Sequence, residues 1–138
     1  MYDKVISELR SSDRIGADDI VVVCMDSTTK GALLGGAIGA AIAASKASHY
    51  VMVANGNSLA VFDVDKKTGE YLGTGSKFEK EDVISAVVRG GLGSFSILLK
   101  TNSEKHTFST SNKFRGYVQK DQIAKLRELF KSGYNNGE

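Results

Sequence analysis

Short strand-like segments separated by turn residues occupy most of the chain from residue 49 to residue 109, and this succession constrains the fold more than any other feature. The two clearest segments flank Asn55, Gly56 and Asn57, whose Asn-Gly pair favours a type I′ hairpin turn. The sequence contains no proline, so glycine, asparagine and aspartate must provide the turns. Successive hairpins require an antiparallel sheet, which must bend, stack or close to bury its apolar side. The predicted strands span residues 50–54, 58–64, 70–78, 83–89, 94–101 and 104–109.

The segments on either side of this region have different patterns. Residues 20–25 form a β-branched apolar run, which predicts a buried first strand. Residues 3–10 predict a short amphipathic helix that begins with a capping carboxylate, Asp3. Near the end, a helical apolar stripe stops at Gly133, and residues 134–138 are expected to fray. The stripe consists of Ile123, Leu126, Leu129 and Phe130.

The order of a first strand, a meander of hairpins and a terminal helix resembles the pleckstrin-homology-like (PH-like) superfold, particularly its small bacterial versions. The resemblance covers about residues 18–131 and is carried by residues 19–25, 50–62, 78–88, 90–93, 107–109 and the terminal helix. It implies a mainly β fold, an antiparallel barrel or sandwich of six to seven strands with a C-terminal α-helix. A short N-terminal helix and a Gly/Ala-rich helical insertion at residues 30–46 would complete a single domain over residues 1–138. It also implies a scaffold that recognises peptides, proteins or lipids.

Phosphoinositide recognition is disfavoured by one departure from the PH pattern. Family members that bind these lipids cluster Lys and Arg on the first two strands and the loop between them. Here the matching stretch, residues 18–50, contains only Lys30 and Lys46, and the first strand follows Asp18 and Asp19. The formal net charge of the whole chain is only +2. A polyanionic partner is therefore not indicated.

Motifs for catalysis, metals and cofactors are absent from the sequence. The single cysteine, Cys24, lies in an apolar run and is interpreted as a buried small hydrophobe. His49 and His106 have no metal-binding spacing around them and are expected to be surface histidines. The glycines match neither a P-loop nor a dinucleotide-binding motif. We therefore predict no catalytic residue, no cofactor and no metal, and the absence of a signal-peptide pattern favours a cytoplasmic protein.

The segment between Lys30 and Lys46 is unusually rich in glycine and alanine. Gly31, Gly35, Gly39 and Ala43 recur every four residues, beside an apolar ridge of Leu34, Ile38 and Ile42. The fifteen uncharged residues would span about 22 Å as a helix, which is short of the roughly 30 Å hydrocarbon core of a bilayer. Three uses remain open: packing on the protein's own sheet, self-association, or shallow membrane contact with Lys30 and Lys46 at the headgroups.

Nucleic-acid binding has little support, because the only basic stretch interleaved with aromatic residues, residues 113–118, carries two positive charges. That stretch is interpreted as a solvated loop before the terminal helix. The sequence thus predicts a non-enzymatic module that binds a protein or peptide, with self-association through the Gly/Ala-rich segment as one of the three uses left open for that segment. The alternatives are a peripheral membrane or lipid-binding protein that uses residues 31–44, and an enzyme with an unrecognised site.

Overall fold

The predicted hairpins form one seven-stranded antiparallel sheet in the computed structural model, which describes residues 2–27 and 48–134. The strand order is β4-β3-β2-β1-β7-β6-β5, so among the described strands of this sheet β1 and β7 are the neighbours that do not follow one another in chain order. The mainly β class and both terminal helices are confirmed. The elements are α1 (Tyr2–Ser11), β1 (Ile20–Asp26), β2 (His49–Ala54), β3 (Ser58–Val64), β4 (Tyr71–Glu79), a 3-10 turn (Lys80–Asp82), β5 (Val83–Gly91), β6 (Ser94–Thr101), β7 (Lys105–Ser111), β8 (Lys113–Phe114), β9 (Tyr117–Val118) and α2 (Lys120–Gly133).

The Gly/Ala-rich helix predicted after the first strand lies outside the described residues. This holds for the whole predicted interaction face and both flanking lysines: Lys30, Gly31, Leu34, Gly35, Ile38, Gly39, Ile42, Ala43 and Lys46. Their use stays a prediction.

Both faces of the sheet formed by β1, β2 and β3 are buried, each in its own core. On the inner face, Val22 and Met52 pack with residues of β5, β6 and β7 and with α2, so the two halves of the sheet make a sandwich. On the outer face, α1 packs Val5 and Leu9 against Val51 and neighbouring side chains. Because successive strand residues point to opposite faces, a strand with two buried faces is apolar throughout. This explains the unbroken apolar run at residues 20–25.

Polar side chains complete the junction between β1 and β7. Regular pairing there covers only two residue pairs, Met25 with Ser109 and Asp26 with Phe108. Beyond them, the Gln119 Oε1 accepts a hydrogen bond from the Val23 N–H at 2.8 Å, and the Gln119 Nε2 lies 3.0 Å from the Val23 carbonyl oxygen. The Gln119 side chain is only 2% exposed. It therefore acts as a substitute peptide group where the two strands separate, since buried backbone groups need partners.

The β2–β3 hairpin is confirmed, but its predicted turn type is wrong. Gly56 lacks the positive φ that a type I′ turn requires. Instead the Asn55 Oδ1 accepts hydrogen bonds from the backbone N–H groups of Asn57 and Ser58, at 2.8 and 3.0 Å. Side-chain acceptance of this kind closes a turn without left-handed backbone. The β5–β6 hairpin has the two positive φ values, 55° at Leu92 and 91° at Gly93.

Two other expectations from the sequence are wrong because side chains distant in the chain pack against Tyr134 and Phe114. Tyr134, expected to fray, is 6% exposed, and its hydroxyl donates a hydrogen bond to the Asn55 carbonyl at 2.9 Å. The expected solvated loop at residues 113–118 is the small β8–β9 hairpin, with Phe114 buried beside Tyr2 and His49.

Candidate functional site

The inner face of the sandwich changes from apolar to polar and aromatic towards one end. Side chains two residues apart on a strand share a face. On β1 the inward column runs from Val22 through Cys24 to Asp26, and on β3 it runs from Leu59 through Val61 to Asp63. On β2 and β7 the columns end in Tyr50 and His106 in the same way. This end therefore carries polar groups at positions where the core pattern would place apolar side chains.

A cleft of about 130 Å³ opens between these columns, lined by Tyr50, Val61, Asp63, Ser76, Phe78, His106 and Phe108. An engineered cavity of about 150 Å³ holds one benzene-sized molecule, whereas pockets for drug-sized ligands and cofactors measure about 300–1,000 Å³. The cleft thus suits one side chain or a group of similar size. A shallower polar depression of about 300 Å³ continues past Phe78 to Asp82 and the turn at residues 101–104.

Four rings form a continuous aromatic wall in the cleft. The Tyr50 ring meets the Phe108 ring edge-on with centroids 5.5 Å apart, and the His106 ring stacks on Phe108 at 6.1 Å. The Phe78 ring, from the facing strand β4, lies 5.8 Å from His106. Phe108 is buried, while Tyr50, Phe78 and His106 are half-buried and remain open to a ligand.

Carboxylates stand beside this aromatic wall. The Tyr50 hydroxyl donates a hydrogen bond to Asp26 Oδ1 at 2.9 Å, and Asp63 is the direct strand partner of Tyr50. Asp63 Oδ2 accepts a hydrogen bond from the Thr74 hydroxyl at 2.6 Å. Among the described residues, no Lys or Arg forms a salt bridge with Asp26 or Asp63. Their negative charge is therefore not neutralised by a described cation.

Burial raises the pKa of Tyr50, and its hydrogen bond to Asp26 and the charge of that carboxylate raise the pKa further. The phenol therefore stays protonated at neutral pH and continues to donate to Asp26. This donation uses one lone pair of Asp26 and holds the ring against the carboxylate. The arrangement presents ring surface and negative charge in one small space.

The two histidines have different environments, so the expectation that both lie on the surface is wrong for His49. His106 is half-buried in the cleft, with its Nε2 2.6 Å from Glu104 Oε2. His49 is only 2% exposed, and its Nδ1 lies 3.0 Å from the Tyr2 hydroxyl. Its position at the start of β2 turns it towards the outer core, where α1 and Phe114 cover it. The α1 contact is not visible in the local sequence around residue 49.

Protonation of His49 is expected to destabilise the fold below about pH 6.5. Burial lowers the pKa of His49, and the positive charges of Arg115 and Lys66 lower it further against the smaller opposing effect of Asp26. Between the folded and the unfolded pKa, the unfolded chain therefore binds a proton that the folded protein does not bind. The contribution to stability is complete above the unfolded pKa of about 6.5 and is lost as the pH falls from there through the folded pKa. The slope is at most about 1.4 kcal/mol per pH unit for one proton.

Urea unfolding between pH 7.5 and 5.5 measures this effect, because most carboxylates titrate below that range. The His49→Gln variant should lose most of the pH dependence, and the matched His106→Gln variant should keep it. A wild-type slope in His49→Gln would contradict the assignment.

Cys24 is confirmed as a buried small hydrophobe, and burial raises the pKa of its thiol. Within residues 2–27 and 48–134, no group of three His, Cys, Asp or Glu side chains is placed to hold a metal ion. The cleft residues were missed at the level of sequence, although a signal existed. Asp26 and Asp63 occupy the same period-two positions as the core residues before them, and a charge at such a position is unusual.

No protein-family model matches this chain, and no curated protein is detectably similar to it. A structural match is the hSac2 domain from the human phosphoinositide phosphatase Sac2, with 11% sequence identity. The match covers 94% of this chain and 81% of that domain, with a TM-score of 0.47. At this level of similarity the match carries no argument about function. Among the described helices, none is long and apolar enough to cross a membrane.

Proposed function

We propose that the protein is a non-enzymatic interaction module on a PH-like scaffold, and that it binds a peptide segment of a partner protein in the cleft. The observation that carries the proposal is the cleft itself, a side-chain-sized space where the inner face of the sandwich turns polar and aromatic. The strand order and the C-terminal helix packed on the sandwich support the PH-like assignment. That resemblance implies recognition rather than catalysis, although a fold alone does not select the ligand.

The chemistry of the cleft favours binding over reaction. Catalysis needs a nucleophile and base, or a metal, arranged around a space that holds a substrate. The cleft offers half-buried rings, carboxylates and one histidine already held by Glu104. Its acidic groups oppose phosphate ligands, which agrees with the scarcity of basic residues at residues 18–50.

Selection from a random peptide library tests this proposal, with the binding site mapped by NMR amide shifts. We expect selected peptides to shift the amides of Tyr50, Phe78 and His106. Phe78→Leu should weaken binding about tenfold because it removes a ring from the wall. Leu72→Ala is the matched control, since Leu72 lies on the same strand and is 56% exposed. Selected peptides that shift amide signals only outside the cleft, or that bind Phe78→Leu as tightly as the wild type, would overturn the proposal.

Self-association and membrane contact through residues 31–44 stay predictions from the sequence. We expect the protein to remain in the supernatant with anionic vesicles at moderate salt, because two lysines near the surface add only about 1 kcal/mol each. Strong co-sedimentation that is lost when residues 31–44 are deleted, with the remaining chain still folded, would favour the membrane alternative.

Gly35→Leu should lower either the melting temperature or the solution mass, since added volume at a packed position costs about 1–3 kcal/mol. The cytoplasmic location and the bacterial origin also stay predictions.

A further inference from the structure

The geometry points to a positively charged side chain, arginine rather than lysine, as the group that the cleft takes from its partner. This inference rests on the proposed function and names the ligand chemistry of the same site. It follows from three features found together: a space for one side chain, half-buried rings, and carboxylates without a described cationic partner.

An apolar anchor fits the rings but not the carboxylates. Asp63 lines the cleft and is half-buried, and an apolar group in the cleft would strip water from this carboxylate without replacing the hydrogen bonds of that water. An anionic group would meet this carboxylate directly and would also lose water. A cation avoids both costs, because it pairs with the carboxylate and is attracted to the faces of the rings.

Arginine matches the aromatic wall and the carboxylate beside it better than lysine does. Its guanidinium is planar, stacks on aromatic faces and forms paired hydrogen bonds with a carboxylate, whereas the lysine ammonium is a compact and strongly hydrated point charge. Tyr50 joins the two parts of the site, since its ring lies in the aromatic wall while its hydroxyl bonds to Asp26 and its strand partner is Asp63. A planar cation placed along the Tyr50 ring in the cleft therefore lies beside Asp63, which lines the cleft, while Asp26, outside that lining, holds the Tyr50 hydroxyl.

The polar depression next to Phe78 continues the site for the flanking peptide. Its charged lining residues are Asp82, Glu104 and Lys77, and the Lys77 Nζ already lies 3.8 Å from Glu79 Oε1. The charged side chains around the cleft are therefore mainly acidic. We therefore expect basic residues to be preferred beside the anchoring arginine as well, with a smaller effect.

Four pentapeptides, blocked at both ends, test the inference: glycine at every position except a central arginine, citrulline, lysine or glutamate. Citrulline keeps the shape of arginine and removes its charge. Binding is followed by NMR titration of the full-length protein at 0.1 M and 1 M salt. We expect the arginine peptide to shift the amides of Tyr50, Asp63 and His106, the citrulline peptide to bind at least tenfold more weakly, and the glutamate peptide not to bind. Binding should weaken at 1 M salt, where the Debye length is about 3 Å instead of about 10 Å.

Substitutions that remove a carboxylate charge test which residues bind the arginine peptide. Asp63→Asn changes charge with little change in shape and should weaken binding of the arginine peptide about tenfold, whereas Asp26→Asn, outside the cleft lining, should weaken it less. Asp121→Asn, in the exposed first turn of α2, is the matched control and should bind as wild type. Melting temperatures within a few degrees of wild type confirm that each variant is folded.

Different outcomes contradict a cationic ligand and a peptide-binding cleft. Equal binding of the arginine and citrulline peptides in the cleft would overturn the cationic ligand while leaving the module intact. Binding of lysine as tight as that of arginine would overturn the choice of arginine. Library peptides that avoid the cleft altogether would overturn both.

Discussion

Replacing Gln119 by leucine is expected to lower the free energy of unfolding by about 3 kcal/mol or more, although leucine nearly fills the same volume. The Val23 N–H would lose its acceptor in the gap between β1 and β7, and a buried backbone group without a partner costs about 1–3 kcal/mol. The Gln119 Nε2 also lies 2.8 Å from the Thr110 hydroxyl and 2.9 Å from the Ser111 carbonyl, and both would lose this donor. The loss is large against the 5–15 kcal/mol that stabilises an ordinary domain.

Gln122→Leu is the matched control, because Gln122 accepts a single hydrogen bond, from the Val21 N–H at 2.9 Å, and is only half-buried. Its expected cost is about 1 kcal/mol. Urea unfolding of the two variants measures the difference. Equal midpoints would show that water or backbone shifts can replace the Gln119 amide at the β1–β7 junction.

Truncating Phe130 to alanine is expected to cost about 3–5 kcal/mol, the usual range for a buried phenylalanine. Phe130 is 1% exposed in the inner core, and its ring meets Tyr134 edge-on with centroids 5.6 Å apart. The variant would leave a cavity between α2 and the sheet and would remove the ring contact of Tyr134 with Phe130. Lys131→Ala, one position further along the same helix and exposed, should change stability by no more than about 0.5 kcal/mol.

Denaturant midpoints at an unchanged slope separate these two variants. If Phe130→Ala unfolded at the same urea concentration as Lys131→Ala, α2 would be a detachable tail. The helix would then contribute little to the sandwich, contrary to the burial of Ile123, Leu126 and Phe130.

Part of the cleft could be predicted from the alternation of side chains along single strands. Asp63 continues the alternation of Leu59 and Val61, so its inward direction follows from the strand period alone. That Phe78 and His106 face it across the cleft does not follow, because these residues lie 15 and 43 positions further along the chain. The side-chain direction on each strand could be predicted from the sequence, but the contacts between strands that form the cleft could not.

The sequence by itself determined the strands, the hairpins and the apolar faces of both terminal helices, because these depend on periods of two or 3.6 residues and on turn residues close in the chain. Only the tertiary structure decided how the sheet folds over itself at the β1–β7 junction. That fold buries His49 under α1 and Tyr134 beside Asn55, and it brings Gln119 to the backbone of Val23. The physical reason is that a local pattern specifies which face of a strand is apolar, whereas the groups that complete the strand from outside come from residues as much as 101 positions away, as Gln122 is from Val21.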